Sequence, residues 1–262
     1  MINDTNFPKA ADEYARCVSP YFNIEDKQEK YKADKLFKRL RRKVGHAIGD
    51  YGMIEENDKI LVCMSGGKDS YVLLDMLLSL KRSAPINFEL IPVHIDSNFP
   101  NAPEYLLEDH LKKVGLKYHF LKRPVYDICK EKIADGIPYC SLCSRLRRGY
   151  LYSFAREIGA NKVALGHHKD DLTVIRPLIY CRERDLITLS KIKNYPVLPK
   201  GLCGFGEDQQ RSAMNKMIKQ WDKEYPKRAD IVFKALKNVA PSHLLDKELF
   251  DFTKISNGPK VK

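Results

Sequence analysis

The sequence predicts an α/β protein in which a parallel sheet carries helices on both faces. Three observations support this fold class: strand-like and helix-like segments alternate between residues 60 and 179, hydrophobic residue types make up 44% of the 262 residues, and a turn with two glycines joins the first strand to a helix. Such alternation is typical of parallel sheets with right-handed crossovers. Ligands of these sheets bind at the carboxyl ends of the strands, so functional residues are expected there.

An amphipathic helix is predicted at residues 25–51, before the alternating segments. Its apolar residues recur at spacings of four or five: Tyr31, Leu36, Leu40, Val44 and Ile48. Hydrophobic spacing then predicts strands at 60–64, 89–95, 117–121, 162–165 and 174–179, and helices at 70–80, 104–114, 144–158, 209–219 and 229–237. The predicted domains are a basic helical segment at 1–50, the sheet domain at 51–205 and a helical extension at 206–262.

The chain is strongly basic, with 46 Lys and Arg against 34 Asp and Glu and a formal net charge of +12. This excess favours a polyanionic partner, although charge alone fits a merely well-solvated surface equally well. No window approaches the roughly 20 apolar residues of a membrane span. The first residues also lack the basic-then-apolar order of a signal peptide. A cytosolic protein without membrane association is expected.

The sequence KILVCMSGGKDSYVLLDMLLSL, at residues 59–80, places a compact polar turn between a strand and a helix. Two glycines permit positive φ and close backbone approach, and the helix N-terminus attracts anions. Lys68 adds a positive charge, while Ser65 and Ser70 offer hydroxyl donors. The spacing matches neither GxxxxGK[ST] nor GxGxxG. The turn therefore indicates an anion site, of a type that neither common phosphate motif describes.

SGGKDS after a strand resembles the pyrophosphate loop of the PP-loop ATPases, which cleave ATP between the α and β phosphates and adenylate an oxygen of their substrate. The resemblance implies an ATP-binding loop made of Met64, Ser65, Gly66, Gly67, Lys68, Asp69 and Ser70, with Asp69 as a Mg²⁺ ligand. VHIDSNFP and ALGHHKDD follow later strands and resemble the segments that surround the nucleotide in that family. They add His94, Asp96, Gly166, His167, Asp170 and Asp171, beside His168.

Seven cysteines make an odd set: Cys17, Cys63, Cys129, Cys140, Cys143, Cys181 and Cys203. Without a secretory signal, metal binding or sulfur chemistry is a better expectation than a disulfide framework. Cys140 and Cys143 form C-x-x-C, and Cys203 lies far away in LPKGLCG. Structural zinc, an iron–sulfur cluster with one open iron and a redox dithiol all fit this spacing.

Several motifs together resemble the tRNA 2-thiocytidine synthetases over about residues 30–252: SGGKDS, YCSLCSRLRRG, ALGHHKDD, VIRPLIYCRE, LCG followed by QR, and NVAPSHLLDKELFDF. The resemblance implies ATP-dependent thiolation of the cytidine at position 32, in the tRNA anticodon loop. It implies a [4Fe–4S] cluster on Cys140, Cys143 and Cys203, which would act with Lys68 and Asp69. A cysteine desulfurase as sulfur donor and a homodimer are implied as well, and the other four cysteines become structural thiols.

The basic and aromatic residues offer candidate contacts to tRNA. The basic candidates are Lys38, Arg39, Arg42, Arg145, Arg147 and Arg148. Since proteins that recognise single-stranded RNA loops stack bases on aromatic rings, Tyr139 and Phe205 are candidates for base contacts.

The chain departs from the family after GHHKDD, where LTVIRPL follows without the usual helix and loop. A crossover between parallel strands needs a dozen or more residues, so a chain break is predicted near residues 171–172. Two alternative functions stay open at this point: a PP-loop ligase of the lysidine-synthetase type, and a zinc-stabilised RNA-binding protein without catalysis.

Overall fold

A computed structural model of the protein describes residues 27–100, 102–115, 117–134, 136–166, 174–199 and 210–237. The chain forms two compact units, Met1–Gly204 and Phe205–Lys262. In the described part of the second unit, two helices, α7 (Gln210–Glu224) and α8 (Arg228–Lys237), pack on each other. The first unit contains the sheet and the candidate site.

The described residues of the first unit include a parallel sheet of five strands in the order β3-β2-β1-β4-β5. The strands are β1 (Asp58–Cys63), β2 (Phe88–Asp96), β3 (His119–Lys122), β4 (Lys162–Ala164) and β5 (Val174–Ile175). Strands β2 and β3 follow β1 toward one edge of the sheet, and the chain then crosses back so that β4 pairs with the opposite side of β1. The carboxyl ends of β1 and β4 therefore lie at a topological switch point, where ligands of open α/β sheets bind.

Helices cover both faces of the sheet, which confirms the predicted fold class. They are α1 (Lys27–Asp50), α2 (Lys68–Lys81), α3 (Tyr105–Val114), α4 (Val125–Lys132), α5 (Cys140–Glu157) and α6 (Glu183–Ile192). Successive β1 residues point to opposite faces. Ile60 and Val62 join the core formed with α1, α2, α3 and α6, whereas Leu61 packs in the cluster formed with α5.

Helix α1 confirms the predicted amphipathic helix but buries a different set of residues. Its buried positions follow spacings of three and four: Ala33, Phe37, Leu40, Val44 and Ala47. The prediction that Tyr31 belongs to the apolar face is wrong: this residue is 67% exposed, because the buried stripe follows the 3.6-residue helical period. Leu36 and Ile48 lie at the edge of the stripe and are half-buried.

Three predicted boundaries were wrong by four or more residues, one of them the end of α7, which continues to Glu224 rather than to residue 219. The last strand ends at Ile175 rather than at residue 179, because Pro177 has no N–H for the ladder, and a 3₁₀ turn, Pro177–Tyr180, follows. Helix α5 begins at Cys140 rather than at residue 144, which places the whole C-x-x-C motif in its first turn.

Sequence spacing missed two helices, α4 and α6, which have 8 and 10 residues. Segments this short provide few repeats of the helical period, so their signal is weak. The predicted chain break near residues 171–172 lies outside the described residues. None of the described helices combines the length and apolar character needed to cross a membrane.

Candidate functional site

The turn after β1 has the backbone conformation that its two glycines predict. Gly66 has φ of +74°, in the left-handed region, and Gly67 is extended immediately before α2. The Ser70 hydroxyl and amide both donate to the Gly67 carbonyl oxygen, over 2.8 and 3.0 Å. The N-cap residue of α2 is Gly67, which has no side chain to cap the helix. Its first amides and its positive dipole end therefore face the switch point of the sheet, as an anion site requires.

Lys68 and Asp69 lie in the first turn of α2 and are paired with each other. The Lys68 Nζ atom is 3.2 Å from Asp69 Oδ2 and 3.4 Å from Glu183 Oε1, at the start of α6. Asp69 Oδ1 is buried, and no described residue forms a hydrogen bond with it. A buried carboxylate oxygen without a partner is a fitting ligand for a hard cation such as Mg²⁺.

The C-x-x-C motif lies at the amino end of α5. Cys140 and Cys143 are half-buried thiols in its first turn, and the Cys143 amide donates to the Tyr139 carbonyl oxygen over 2.9 Å. A helix N-terminus favours the thiolate form of cysteine, which is the form that binds metals. The described residues include no group of three or more metal-ligating side chains, and the third predicted ligand, Cys203, lies outside them.

One cavity of about 300 Å³ joins the glycine turn to the C-x-x-C motif. Ser65 and Gly67 line it from the turn, and Cys140, Cys143 and Arg147 line it from α5. Tyr139 lines the cavity as well and is 5% exposed. A ligand in this cavity can therefore contact the glycine turn and the sulfur atoms of Cys140 and Cys143 at the same time.

His94 and Asp96 both end β2, but they have different surroundings. His94 lines the cavity and is buried, with Nδ1–H donating to the Met64 carbonyl oxygen over 2.7 Å and Nε2 paired with the Glu104 carboxyl group. It therefore holds the end of β1 in place. Asp96 Oδ1 accepts the Asn98 amide over 2.8 Å and shapes the loop beyond the strand.

Gly166 follows β4 and approaches the turn closely. A Cβ atom at this position would lie 3.3 Å from the Asp69 carbonyl carbon and 3.4 Å from the Ser70 amide nitrogen. Any larger residue at this position would require the start of α2 to shift by a few tenths of an ångström. His167, His168, Asp170 and Asp171, the other predicted residues of this segment, lie outside the described residues.

Residues 195–199 form a wall of the cavity that sequence reasoning missed. The Leu198 amide donates to the Gly66 carbonyl oxygen over 2.9 Å, and Leu198 and Pro199 line the cavity. The Leu198 side chain covers Gly66 so closely that a Cβ on Gly66 would overlap with it. The sequence signal was the proline-containing stretch YPVLP, which has no helical or strand period.

Helix α2 holds this wall in place through a buried polar cluster. Asp75 Oδ2 is 3.0 Å from Lys193 Nζ and accepts the Tyr195 hydroxyl. Tyr71 stacks on Tyr195 with ring centroids 5.2 Å apart and donates its hydroxyl to the Pro196 carbonyl oxygen over 2.9 Å. Burial raises the pKa of Tyr71, so its hydroxyl stays protonated.

Two further thiols lie near the site. Burial raises the pKa of Cys63, at the end of β1, and the Arg147 guanidinium opposes this rise. Burial also raises the pKa of Cys129, on α4, and a hydrogen bond with the Cys143 thiol opposes it. Both thiols are held neutral by burial, which fits structural roles.

Comparison with known proteins identifies a domain family and relatives that match most of the chain. The PP-loop domain family matches residues 36–198. The tRNA-cytidine(32) 2-sulfurtransferase of Alcanivorax borkumensis is 46% identical, and the alignment covers 89% of this chain and 92% of the relative. The protein of the same name from Haemophilus ducreyi is 44% identical, with 93% and 86% covered.

Among solved structures, the U34-tRNA thiolase NcsA from Methanococcus maripaludis, with its [4Fe–4S] cluster, has a similar fold. The TM-score is 0.61 at 19% sequence identity, and the match covers 74% of this chain and 75% of that one. This likeness supports the PP-loop arrangement of strands and helices.

Proposed function

Because the chain belongs to the tRNA-cytidine(32) 2-sulfurtransferases of the PP-loop family, we propose that it thiolates the cytidine at position 32 in the anticodon loop of tRNA. In the proposed reaction, ATP adenylates the C2 oxygen of cytosine, and sulfur then replaces that oxygen to give 2-thiocytidine. The family membership confirms the resemblance drawn from the motifs, and with it a sulfurtransferase activity. Adenylation and sulfur delivery through a cluster form the proposal.

The observation that carries the proposal is the shared cavity of about 300 Å³. Ser65 and Gly67 line it on one side, and Cys140 and Cys143 line it on the other. A cytosine placed between them would meet an activated phosphate and a sulfur source without leaving the site. Such placement replaces a bimolecular encounter with an oriented one, which lowers the barrier.

The turn would bind the pyrophosphate part of ATP through its backbone amides and through Lys68. In the structure Lys68 pairs with Glu183, over 3.4 Å, and it can exchange this carboxylate for a phosphate oxygen. Asp69, whose buried Oδ1 has no partner among the described residues, would hold Mg²⁺. Mg²⁺ supplies positive charge beside the phosphates. These fixed charges stabilise the negative charge that develops as pyrophosphate leaves.

Cys140, Cys143 and Cys203 would hold the [4Fe–4S] cluster. Two of these thiols lie in the cavity, and thiolates are the ligands that iron–sulfur clusters require. Leu198 lines the same cavity, and Cys203 lies five residues later in the sequence. Even a fully extended chain therefore keeps Cys203 within about 18 Å of Leu198. The cluster would supply an iron that can bind the incoming sulfur.

The bond changes balance as two displacements. The cytosine C2 oxygen attacks the α-phosphorus of ATP and pyrophosphate leaves. A sulfide sulfur then adds at C2, and AMP departs with the former carbonyl oxygen. The carbonyl oxygen is a poor leaving group, and adenylation converts it into part of a good one. The remaining predicted nucleotide residues, His94, Asp96, Gly166, His167, Asp170 and Asp171, would surround the adenosine and phosphates.

RNA would approach from the basic surfaces that flank the cavity. Arg145 is exposed on α5, Arg147 lines the cavity, and Arg148 donates to the Ser144 carbonyl oxygen over 3.3 Å. Tyr139 also lines the cavity, as a stacking partner for the base would, and Phe205 stays a predicted contact outside the described residues. A cysteine desulfurase as sulfur donor, a homodimer and a cytoplasmic location complete the proposal.

Anaerobic purification tests the proposal, followed by iron and sulfide assays and an absorption spectrum. The protein should then convert ATP to AMP and pyrophosphate when unmodified tRNA is present, and nucleoside analysis should detect 2-thiocytidine at position 32. ATP cleavage to AMP without iron would favour a ligase of the lysidine-synthetase type. Bound zinc without ATP cleavage would favour a non-catalytic RNA-binding protein.

A further inference from the structure

A second cavity, of about 640 Å³, lies between α1 and α6 and does not share lining residues with the first. Five cations of α1 line it: Lys32, Lys35, Lys38, Arg39 and Arg42. Asp185 and Thr188 of α6 form the opposite side. We call this cavity the basic groove.

The cations of the basic groove follow helical spacing. Positions 32, 35, 39 and 42 are three or four residues apart, so their side chains share one face of α1. The buried stripe of α1 begins at Ala33 and packs on the sheet domain, so the helix presents this face on a fixed support. A preformed row of cations loses less conformational freedom on binding than cations on a flexible tail.

The groove holds more positive than negative charge. Lys38 pairs with Asp34 over 2.7 Å, and Arg39 pairs with Asp185 over 2.9 Å. Within the described residues, no carboxylate forms an ion pair with Lys32, Lys35 or Arg42. Five cations against two carboxylates leave an excess of about three positive charges in a concave site, which focuses the electrostatic potential.

The first residues of α6 connect the basic groove with the glycine turn after β1. Glu183 contacts Lys68, and Asp185, two residues later, contacts Arg39. A polyanion in the groove would thus lie about one helical turn from the residue that holds the lysine of the ATP site. Because the groove lies this close to Lys68, it differs from a basic surface that has no connection with the candidate site.

We infer that the basic groove binds the sugar–phosphate backbone of the tRNA outside the reacting loop. Asp185 forms an ion pair with Arg39 until a phosphate of the tRNA replaces the Asp185 carboxylate. The inference rests on the proposed function, since it takes tRNA as the substrate. Lys32 and Lys35 enter the interface together with the cations that the sequence suggested. Thr188 adds a hydroxyl donor for a phosphate oxygen.

The test compares Lys35→Glu and Arg42→Glu with Lys81→Glu, at an exposed position outside the groove at the end of α2. Lys35→Glu and Lys81→Glu change the net charge equally. Binding of unmodified tRNA to the full chain is measured at several salt concentrations. Each groove variant should weaken binding about 10-fold near 0.1 M salt and flatten the slope of log K against log salt by about one. Lys81→Glu should stay within about 2-fold of the parent.

Asp185→Asn provides a second arm with the opposite sign. Freeing Arg39 from its carboxylate should tighten tRNA binding about 2- to 5-fold, while Asp109→Asn, at an exposed position of α3 outside the groove, should leave it unchanged. The inference would be overturned if Lys35→Glu and Lys81→Glu bound tRNA with equal affinity. It would also be overturned if polyglutamate displaced tRNA from the groove and other RNA did not. If the parent chain binds no tRNA at all, the proposed function fails. If it binds and thiolates tRNA while the groove variants match Lys81→Glu, only the groove assignment fails.

Discussion

The backbone amide of Leu198 donates a hydrogen bond to the carbonyl oxygen of Gly66 over 2.9 Å. These residues are far apart in sequence, and the bond joins the wall of the cavity to the glycine turn. Gly66 exposes its carbonyl oxygen to Leu198 because its φ of +74° turns the peptide unit away from the helical path. The wall and the glycine turn are therefore built as one unit.

Gly66→Ala should abolish ATP binding and destabilise the fold. The left-handed conformation costs a non-glycine residue about 1–2 kcal/mol, and the new Cβ would overlap with Leu198. Gly136→Ala is the matched control, because Gly136 has φ of +83° and no described neighbour lies within 4 Å of the Cβ that alanine would add. Urea unfolding and calorimetric titration with ATP distinguish the two. Equal ATP affinity in both variants would contradict the role of Gly66.

Lys68→Met should lower kcat/KM for tRNA-dependent pyrophosphate release about 100-fold, because it removes a cation that stabilises the departing phosphates. Glu183→Gln removes one of the two carboxylates that pair with Lys68, the one 3.4 Å away, and leaves the lysine and Asp69 in place. That control should change the rate less than about 3-fold, since an exposed ion pair contributes little. Similar losses in both variants would mean that the ion pair itself matters.

Cys140→Ser and Cys143→Ser should each abolish iron and labile sulfide binding, measured after anaerobic reconstitution. Cys203→Ser should do the same if it is the third ligand. Cys181→Ser is the control: burial raises the pKa of the Cys181 thiol to about 12, and the thiol does not line the cavity. A protein that keeps its full iron content without Cys140 would rule out the proposed ligand set.

Asp75→Ala should destabilise the protein by about 3 kcal/mol, because it removes the buried carboxylate that Lys193 Nζ contacts at 3.0 Å. Tyr195→Phe removes one hydrogen bond to Asp75 and should cost about 1 kcal/mol. Tyr180→Phe serves for comparison, since the Tyr180 hydroxyl donates to the exposed carboxylate of Asp50 over 2.7 Å. Chemical denaturation curves should rank the three variants in this order, and a silent Tyr195→Phe would argue against the buried cluster.

Stability should fall as the pH drops below about 6.5. Burial lowers the pKa of His110, beside the Tyr71 and Tyr195 rings, although the Asp75 carboxylate opposes this effect. The unfolded chain therefore takes up a proton at a higher pH than the folded protein, and the loss is complete below the folded pKa. His110→Gln should reduce this pH dependence in urea unfolding experiments. An unchanged profile would assign the effect to other groups.

Much of the fold was predictable because its determinants are local. The strand period, the two glycines and the polar residues of SGGKDS lie within one stretch of chain, so the turn between β1 and α2 follows from neighbouring residues alone. The same holds for the amphipathic character of α1. The missed helices α4 and α6 are short and carry too few repeats of the helical period, and Pro177 ended β5 earlier than its apolar residues indicated.

The sequence by itself determined the parallel α/β class, the glycine turn between β1 and α2 and the presence of a C-x-x-C pair, because covalent neighbours and residue types specify each of them. Only the tertiary structure decided that Cys140 and Cys143 open into the same cavity as Gly67, and that Leu198 closes that cavity against Gly66. Those relationships depend on packing between segments that are distant along the chain. The periodicity of residues along the chain does not predict such packing, because it depends on the order of strands in the sheet and on the buried contacts of Asp75 and Tyr71.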